Sequence, residues 1–216
     1  MSRAPRQIKH PFVFFCEGDT EYNYLSALLK NVSNVSARFI NMSGGGYKSY
    51  LDAIKRDGTL NRLASFIIID GDRAHKVPEE KNALEKLIDY CRRQNKKSAP
   101  PYLLIVNCPD FEYVACLHDV EYKGGDTGQH IVKKFGFKNL SEFKSKADIY
   151  EFLQTGTRSY STMLKRLERR RKFIQNEINA DRMVIRCKNS AIDWDEFENK
   201  TSNIDEVFGL VMPSVS

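Results

Sequence analysis

At 216 residues with 41% hydrophobic content, the chain can bury a substantial core, in one domain or one domain with an appendage. The 34 Lys and Arg against 28 Asp and Glu give a net charge of +6, which favours a polyanionic partner, although ordinary solvated surfaces can also be basic. No apolar run reaches membrane-span length, nothing near Met1 resembles a secretion signal, and five cysteines (16, 91, 108, 116 and 187) lack the spacing of a disulfide framework. Reduced thiols in a cytoplasmic protein without a membrane span are the expectation.

In chain order, a basic leader precedes an apolar strand, Phe12 to Cys16, that ends in Glu17-Gly18. A helix opened by Asp19 or Thr20 follows, with Leu25, Leu28, Leu29 and Val32 forming one apolar stripe. A second strand near 37–42 leads through Ser43-Gly44-Gly45-Gly46 into a helix carrying Tyr50, Leu51 and Ile54. Phe66 to Ile69 is a third apolar strand and ends in Asp70-Gly71-Asp72. Pro78, Glu79 and Glu80 then open a helix with a Leu84, Leu87, Ile88, Cys91 stripe, and Tyr102 to Asn107 is a further strand, with Asp110, Phe111 and Glu112 beyond it. This alternation predicts an α/β fold: a mostly parallel sheet with helices on both faces.

Residues 1–120 read as the core, and 121–216 as a C-terminal helical appendage completing the same domain. Lys123 to Gly128 is a polar glycine-rich loop, either a substrate-facing flap or a surface connection. A short helix is expected over 141–154, a long one from Tyr160 to Ile178 with Leu164, Leu167, Ile174 and Ile178 inward, a strand over Val184–Cys187, and a closing helix over Ile204–Val211.

Open α/β sheets build their sites at the carboxyl ends of strands, where this chain carries Glu17, Asp70, Asp72 and, just past a strand, Glu112. Carboxylates gathered there repel one another unless a cation sits among them, and their hard oxygens suit Mg2+ or Mn2+. Glu17, Asp70 and Asp72 are the candidate metal ligands, and Glu112 is a further candidate. Gly71 permits the strand end to turn so that Asp70 and Asp72 both ligate; otherwise one holds a metal directly and the other binds through water or a second ion. The competing reading is that all are capping or strand-end acids. Asp19, Thr20 and Glu21 read as capping residues, although an acid this near Glu17 could tune its pKa. His118 reads as structural more readily than catalytic, a zinc site at Cys108, Cys116 and His118 has the wrong spacing, and the Gly44–Gly46 turn lacks a P-loop ending.

Arg158, Lys165, Arg166, Arg169, Arg170, Arg171 and Lys172 are opposed only by Glu168. Such a segment suits a phosphate backbone without regard to base sequence, or else forms a solvated face or meets an acidic protein.

Glu17-Gly18 with Asp70-Gly71-Asp72 resembles the acidic pattern of Toprim domains, the fold of topoisomerases, primases and OLD-type nucleases. Glu17-Gly18-Asp19-Thr20-Glu21-Tyr22-Asn23-Tyr24 resembles the EG-x-TE-x-x-Y opening of the RloB-like branch. Asn107-Cys108-Pro109-Asp110-Phe111-Glu112, followed by Leu117-His118, resembles its S-N-P-x-F-E-x-W-x-x-x-H signature, and Thr201 to Val207 its C-terminal segment. Tyr113 and Val114 stand where a tryptophan often follows Phe-Glu, and the lysine that OLD-type nucleases place near their metals has three candidates, Lys76, Lys123 and Lys133. The resemblance implies a Toprim-like core, with Glu17 as metal ligand or general base, in a Mg2+-dependent nuclease cutting DNA or RNA, tRNA included. It further implies a bacterial or phage-defence effector working beside an ATPase partner, with oligomeric state open. The alternatives are a Toprim-like module that binds nucleic acid and an ATPase without cutting, and a small-molecule phosphotransferase.

Overall fold

A computed structural model of the chain describes residues 9–30, 32–59, 61–97, 100–177 and 200–211. The first half alternates as expected: β1 (His10–Cys16), α1 (Asp19–Lys30), β2 (Val35–Asn41), α2 (Tyr47–Arg56), β3 (Ala64–Asp70) and, after a short helix α3 (Asp72–Lys76), α4 (Pro78–Asn95) and β4 (Tyr102–Cys108). Strands β2, β1, β3 and β4 lie side by side in that order, all parallel. β5 (Thr201–Ser202) joins β4 antiparallel, giving a mostly parallel five-stranded sheet.

The continuous apolar runs are explained by burial on both faces. Phe12, Phe14, Phe66 and Ile68 enter one hydrophobic cluster, while Val13, Phe15, Ile67 and Ile69 enter the other. α1 covers the first face with Tyr24, Leu25, Leu28 and Leu29; α2 and α4 cover the second with Tyr50, Ile54, Leu84, Leu87, Ile88 and Cys91. Alternation by residue within a strand, and by stripe within a helix, produces this three-layer arrangement.

The described helices beyond β4 pack on the α1 side. α5 (Phe111–Leu117) is buried along its whole length, and α6 (Thr127–Lys133), α9 (Tyr160–Glu177) and α10 (Ile204–Val211) each supply buried residues to the same cluster. The single short helix expected over 141–154 is two, α7 (Leu140–Lys144) and α8 (Ile149–Phe152). Between them the Lys144 and Lys146 carbonyls accept from Thr20 Oγ1 (3.2 Å) and Asn23 Nδ2 (3.4 Å) instead of from helix donors. Lys123 to Gly125 form an exposed surface connection. The expected strand over Val184–Cys187 and the end of the long helix at Ile178 lie outside the described residues. No helix among the described residues is long and apolar enough to cross a membrane.

Candidate active site

The chain leaves β1 in one direction to β2 and returns past it to β3, so the strand order reverses between β1 and β3. In open parallel sheets the crevice beyond the carboxyl ends of such strands is where ligands bind. Glu17 leaves the end of β1 and Asp70 closes β3, and the Asp70 backbone N–H donates to Glu17 Oε2 at 2.7 Å. The Asp70 side chain is oriented from β4 and β5: Ser202 Oγ donates to Asn107 Oδ1 (2.8 Å), leaving Asn107 Nδ2 to donate to Asp70 Oδ1 (3.3 Å). From the other face the Tyr47 hydroxyl donates to the Asp70 carbonyl at 2.6 Å.

Asp72 is not on extended backbone. The Gly71 and Asp72 N–H groups both donate to the Pro109 carbonyl at 3.0 Å, which turns the chain into α3 and ties the β3 exit to the β4 exit. Asp72 thereby lines the same cleft as Asp70, with Oδ2 3.1 Å from Lys76 Nζ. Asp110 caps α5 by accepting from the Tyr113 N–H, and Glu112 follows in its first turn. Glu21 reaches back to accept from the Gly18 N–H at 3.2 Å and is buried. It is a capping residue, as its position suggested, yet it also faces the cleft. The cleft measures about 600 Å³ and is lined by seven carboxylates, those of Glu17, Asp19, Glu21, Asp70, Asp72, Asp110 and Glu112, against the cations of Arg73 and Lys144.

Crowded, partly dehydrated carboxylates keep their protons to higher pH. Burial, then the charges of Glu21, Glu17, Glu112 and Asp110, push the Asp70 pKa well above the usual carboxylate value. Burial, with Glu17 and Glu112 adding to it, raises Glu21 to about 7. Asp110 rises to about 6, chiefly through burial and then Glu112, and burial also raises Glu17. These shifts mark a site whose negative charge is under-compensated by the protein itself.

No family model, curated protein or solved structure matches this chain. As the side chains stand, no group of three or more His, Cys, Asp or Glu among the described residues is set to hold a metal ion. Glu17, Asp72 and Glu112 each have an oxygen engaged by a protein donor. The donor set nonetheless fits a hard divalent cation: it is all oxygen, burial raises the Asp70 and Glu17 pKa values, and Glu112 Oε2 is buried with no hydrogen-bond partner.

The cation reaching this cleft from outside the acidic motifs is Lys144, with Nζ 2.8 Å from Glu112 Oε1. Burial works to lower its pKa, but the neighbouring Glu112, Asp70 and Asp110 outweigh that and raise it. Of the three lysines singled out from sequence, Lys76 pairs with Asp72 of the cleft, while Lys123 bonds the Val120 carbonyl and Lys133 bonds Gln129. Arg73 was also missed; its guanidinium bonds the Gly44 carbonyl at 3.0 Å beside the cleft. The Gly44–Gly46 turn is no phosphate cradle at α2, because the Glu80 carboxylate already accepts from the Tyr47 N–H at 3.1 Å and crowds Gly46.

His118 is fully buried between the Tyr24 hydroxyl (3.0 Å) and the Leu153 carbonyl (3.2 Å), and burial lowers its pKa to about 3. It is a neutral structural residue. His118→Ala is expected to cost about 2–4 kcal/mol of stability by urea unfolding, while folded protein keeps any activity of the acidic cleft; activity lost without loss of stability would reverse that assignment. Cys16, Cys91, Cys108 and Cys116 are all buried.

The basic segment is largely consumed by the fold. Arg158 precedes α9, bonds the Phe152 carbonyl and stacks on the Phe152 ring with 4.1 Å to its centroid. Arg166 bonds the Val120 and Tyr122 carbonyls, Arg170 the Lys200 carbonyl, Arg171 pairs with Asp205, and Lys172 with Glu168. Lys165 and Arg169 remain exposed on α9, as does Lys172, whose partner lies on the same helix. Spacing along the sequence displays cations but not the carbonyls that will claim them.

Proposed function

We propose that this protein is a divalent-metal-dependent phosphodiesterase acting on nucleic acid, a nuclease with a Toprim-like core. The reading is carried by one observation: seven carboxylates lining a single cleft at the point where the strand order of a parallel sheet reverses. Glu17, Asp70, Asp72 and Glu112 would hold Mg2+ or Mn2+. Such an ion lowers the pKa of a bound water and offsets charge developing on a phosphoryl group. The chain's own groups have distinct tasks. Asn107 and Tyr47 fix Asp70 from two sides. Glu21, half-ionised near neutral pH, is suited to pass a proton through its carboxyl. Arg73 and Lys144 at the rim suit phosphate oxygens.

The choice of DNA or RNA, tRNA included, a role in phage defence and an ATPase partner rest on the resemblance to RloB-like proteins. A second reading, a module that binds nucleic acid without cutting it, is favoured by the absence of a closed ligand trio among the described residues. Purified protein incubated with supercoiled DNA, single-stranded DNA and total tRNA, with and without Mn2+ or Mg2+, separates the two. Metal-dependent cutting that disappears in Glu17→Gln and Asp70→Asn is expected. Binding without cutting under every condition, with a cognate ATPase added, establishes the second reading instead.

A further inference from the structure

Glu112 and Lys144 make a lopsided ion pair. The Glu112 side chain is 5% exposed and the Lys144 side chain 55%. One Glu112 oxygen takes the ammonium at 2.8 Å, while the other is buried with no partner although the residue lines the cleft. A buried carboxylate is costly unless its charge is matched and its lone pairs are filled. A lysine head at the surface, on a flexible four-carbon stem, can leave at small cost. The Lys144 charge also acts on Glu17, Asp70 and Asp110. Its backbone stays docked meanwhile, because Thr20 Oγ1 donates to the Lys144 carbonyl.

We propose that Lys144 is the resident counter-cation of the cleft, competing with a divalent ion for the Glu112 carboxylate and so setting the concentration at which the ion binds. The proposal rests on the metal-dependent reading above. Two cations at one carboxylate repel, so Glu112 exchanges the ammonium for the ion and Nζ swings toward solvent. Before that exchange the pair keeps a buried charge matched; afterwards the ammonium is released to the rim.

Titration calorimetry of the full chain with Mn2+ alone tests this without any substrate. Lys144→Met is expected to tighten Mn2+ binding by about tenfold, with Lys144→Arg within about threefold of wild type. In a Glu112→Gln background the same Lys144→Met change should alter affinity by less than about threefold, which a general loss of positive charge would not produce. If Lys144→Met does not fold, Lys144→Gln, which keeps a donor but not the charge, carries the same expectation. Wild-type binding of Mn2+ with unchanged or weaker affinity in the uncharged variants overturns the role of Lys144 alone. No Mn2+ binding by any of the proteins overturns it together with the metal-dependent reading.

Discussion

Replacing Glu21 with Gln is expected to leave the melting temperature unchanged near pH 4.5 and to raise it progressively up to about pH 7. The Glu21 carboxyl has an ordinary value of 4.5 and is raised to about 7 in the fold, first by burial and then by Glu17 and Glu112. The folded state therefore binds more protons than the unfolded state across that window, and stability falls as pH rises through it. Below the window both forms are protonated, and Gln is a close mimic that keeps an acceptor for the Gly18 N–H. Above it wild type carries the whole penalty, on the order of 3 kcal/mol for this buried group, or roughly 6–12 °C for a chain of this size. His118 works in the opposite sense. Its pKa is lowered from 6.5 to about 3, so its contribution is lost as pH falls below 6.5. The difference between variant and wild type cancels that background, which a melting curve of wild type alone would not. Added Mg2+ should shrink the difference at neutral pH, because an ion in the cleft offsets the same charge. A constant offset at all pH values, unaffected by Mg2+, would show that Glu21 is a neutral cap and nothing more.

The layered fold was readable because strands β1, β3 and β4 are apolar without interruption and α1, α2 and α4 carry clear stripes. Glu17 and Asp70 were readable for the same reason: each closes such a run. Asp72 was harder. Asp-Gly-Asp looks extended in isolation, and the turn at Gly71 is dictated by the Pro109 carbonyl just past the end of β4. Lys144 left no local signal at all. It sits on a five-residue helix, and it reaches the cleft because α7 docks on α1 through the Lys144 carbonyl. Asn107 and Ser202 are likewise joined only by the antiparallel pairing of β4 with β5. The basic segment shows the converse, a strong local signal that tertiary contacts largely absorb. Arg166, Arg170 and Arg171 are held by groups at Val120, Tyr122, Lys200 and Asp205, and none of those contacts is visible in the spacing of the cations.

Asp70→Asn should separate stability from activity. The substitution keeps the strand-end geometry: the backbone N–H still donates to Glu17, and an amide oxygen can still accept from Asn107 Nδ2. It removes a carboxyl whose pKa burial, and then the charges of Glu21, Glu17, Glu112 and Asp110, hold well above its ordinary value. At neutral pH, without divalent ions, the variant is therefore expected to be more stable than wild type in urea unfolding. Its metal-dependent cleavage should fall by at least about a thousandfold, because an amide is a poor ligand for a hard cation. Functional sites hold charge in arrangements that folding alone would not select, and relieving the arrangement stabilises the protein while disabling it. An acid serving only to end a strand gives the opposite pair of results: stability unchanged or lower, and activity intact. Either member of that pair, measured in folded Asp70→Asn protein, would remove Asp70 from the site and with it the case for the cleft as a catalytic centre.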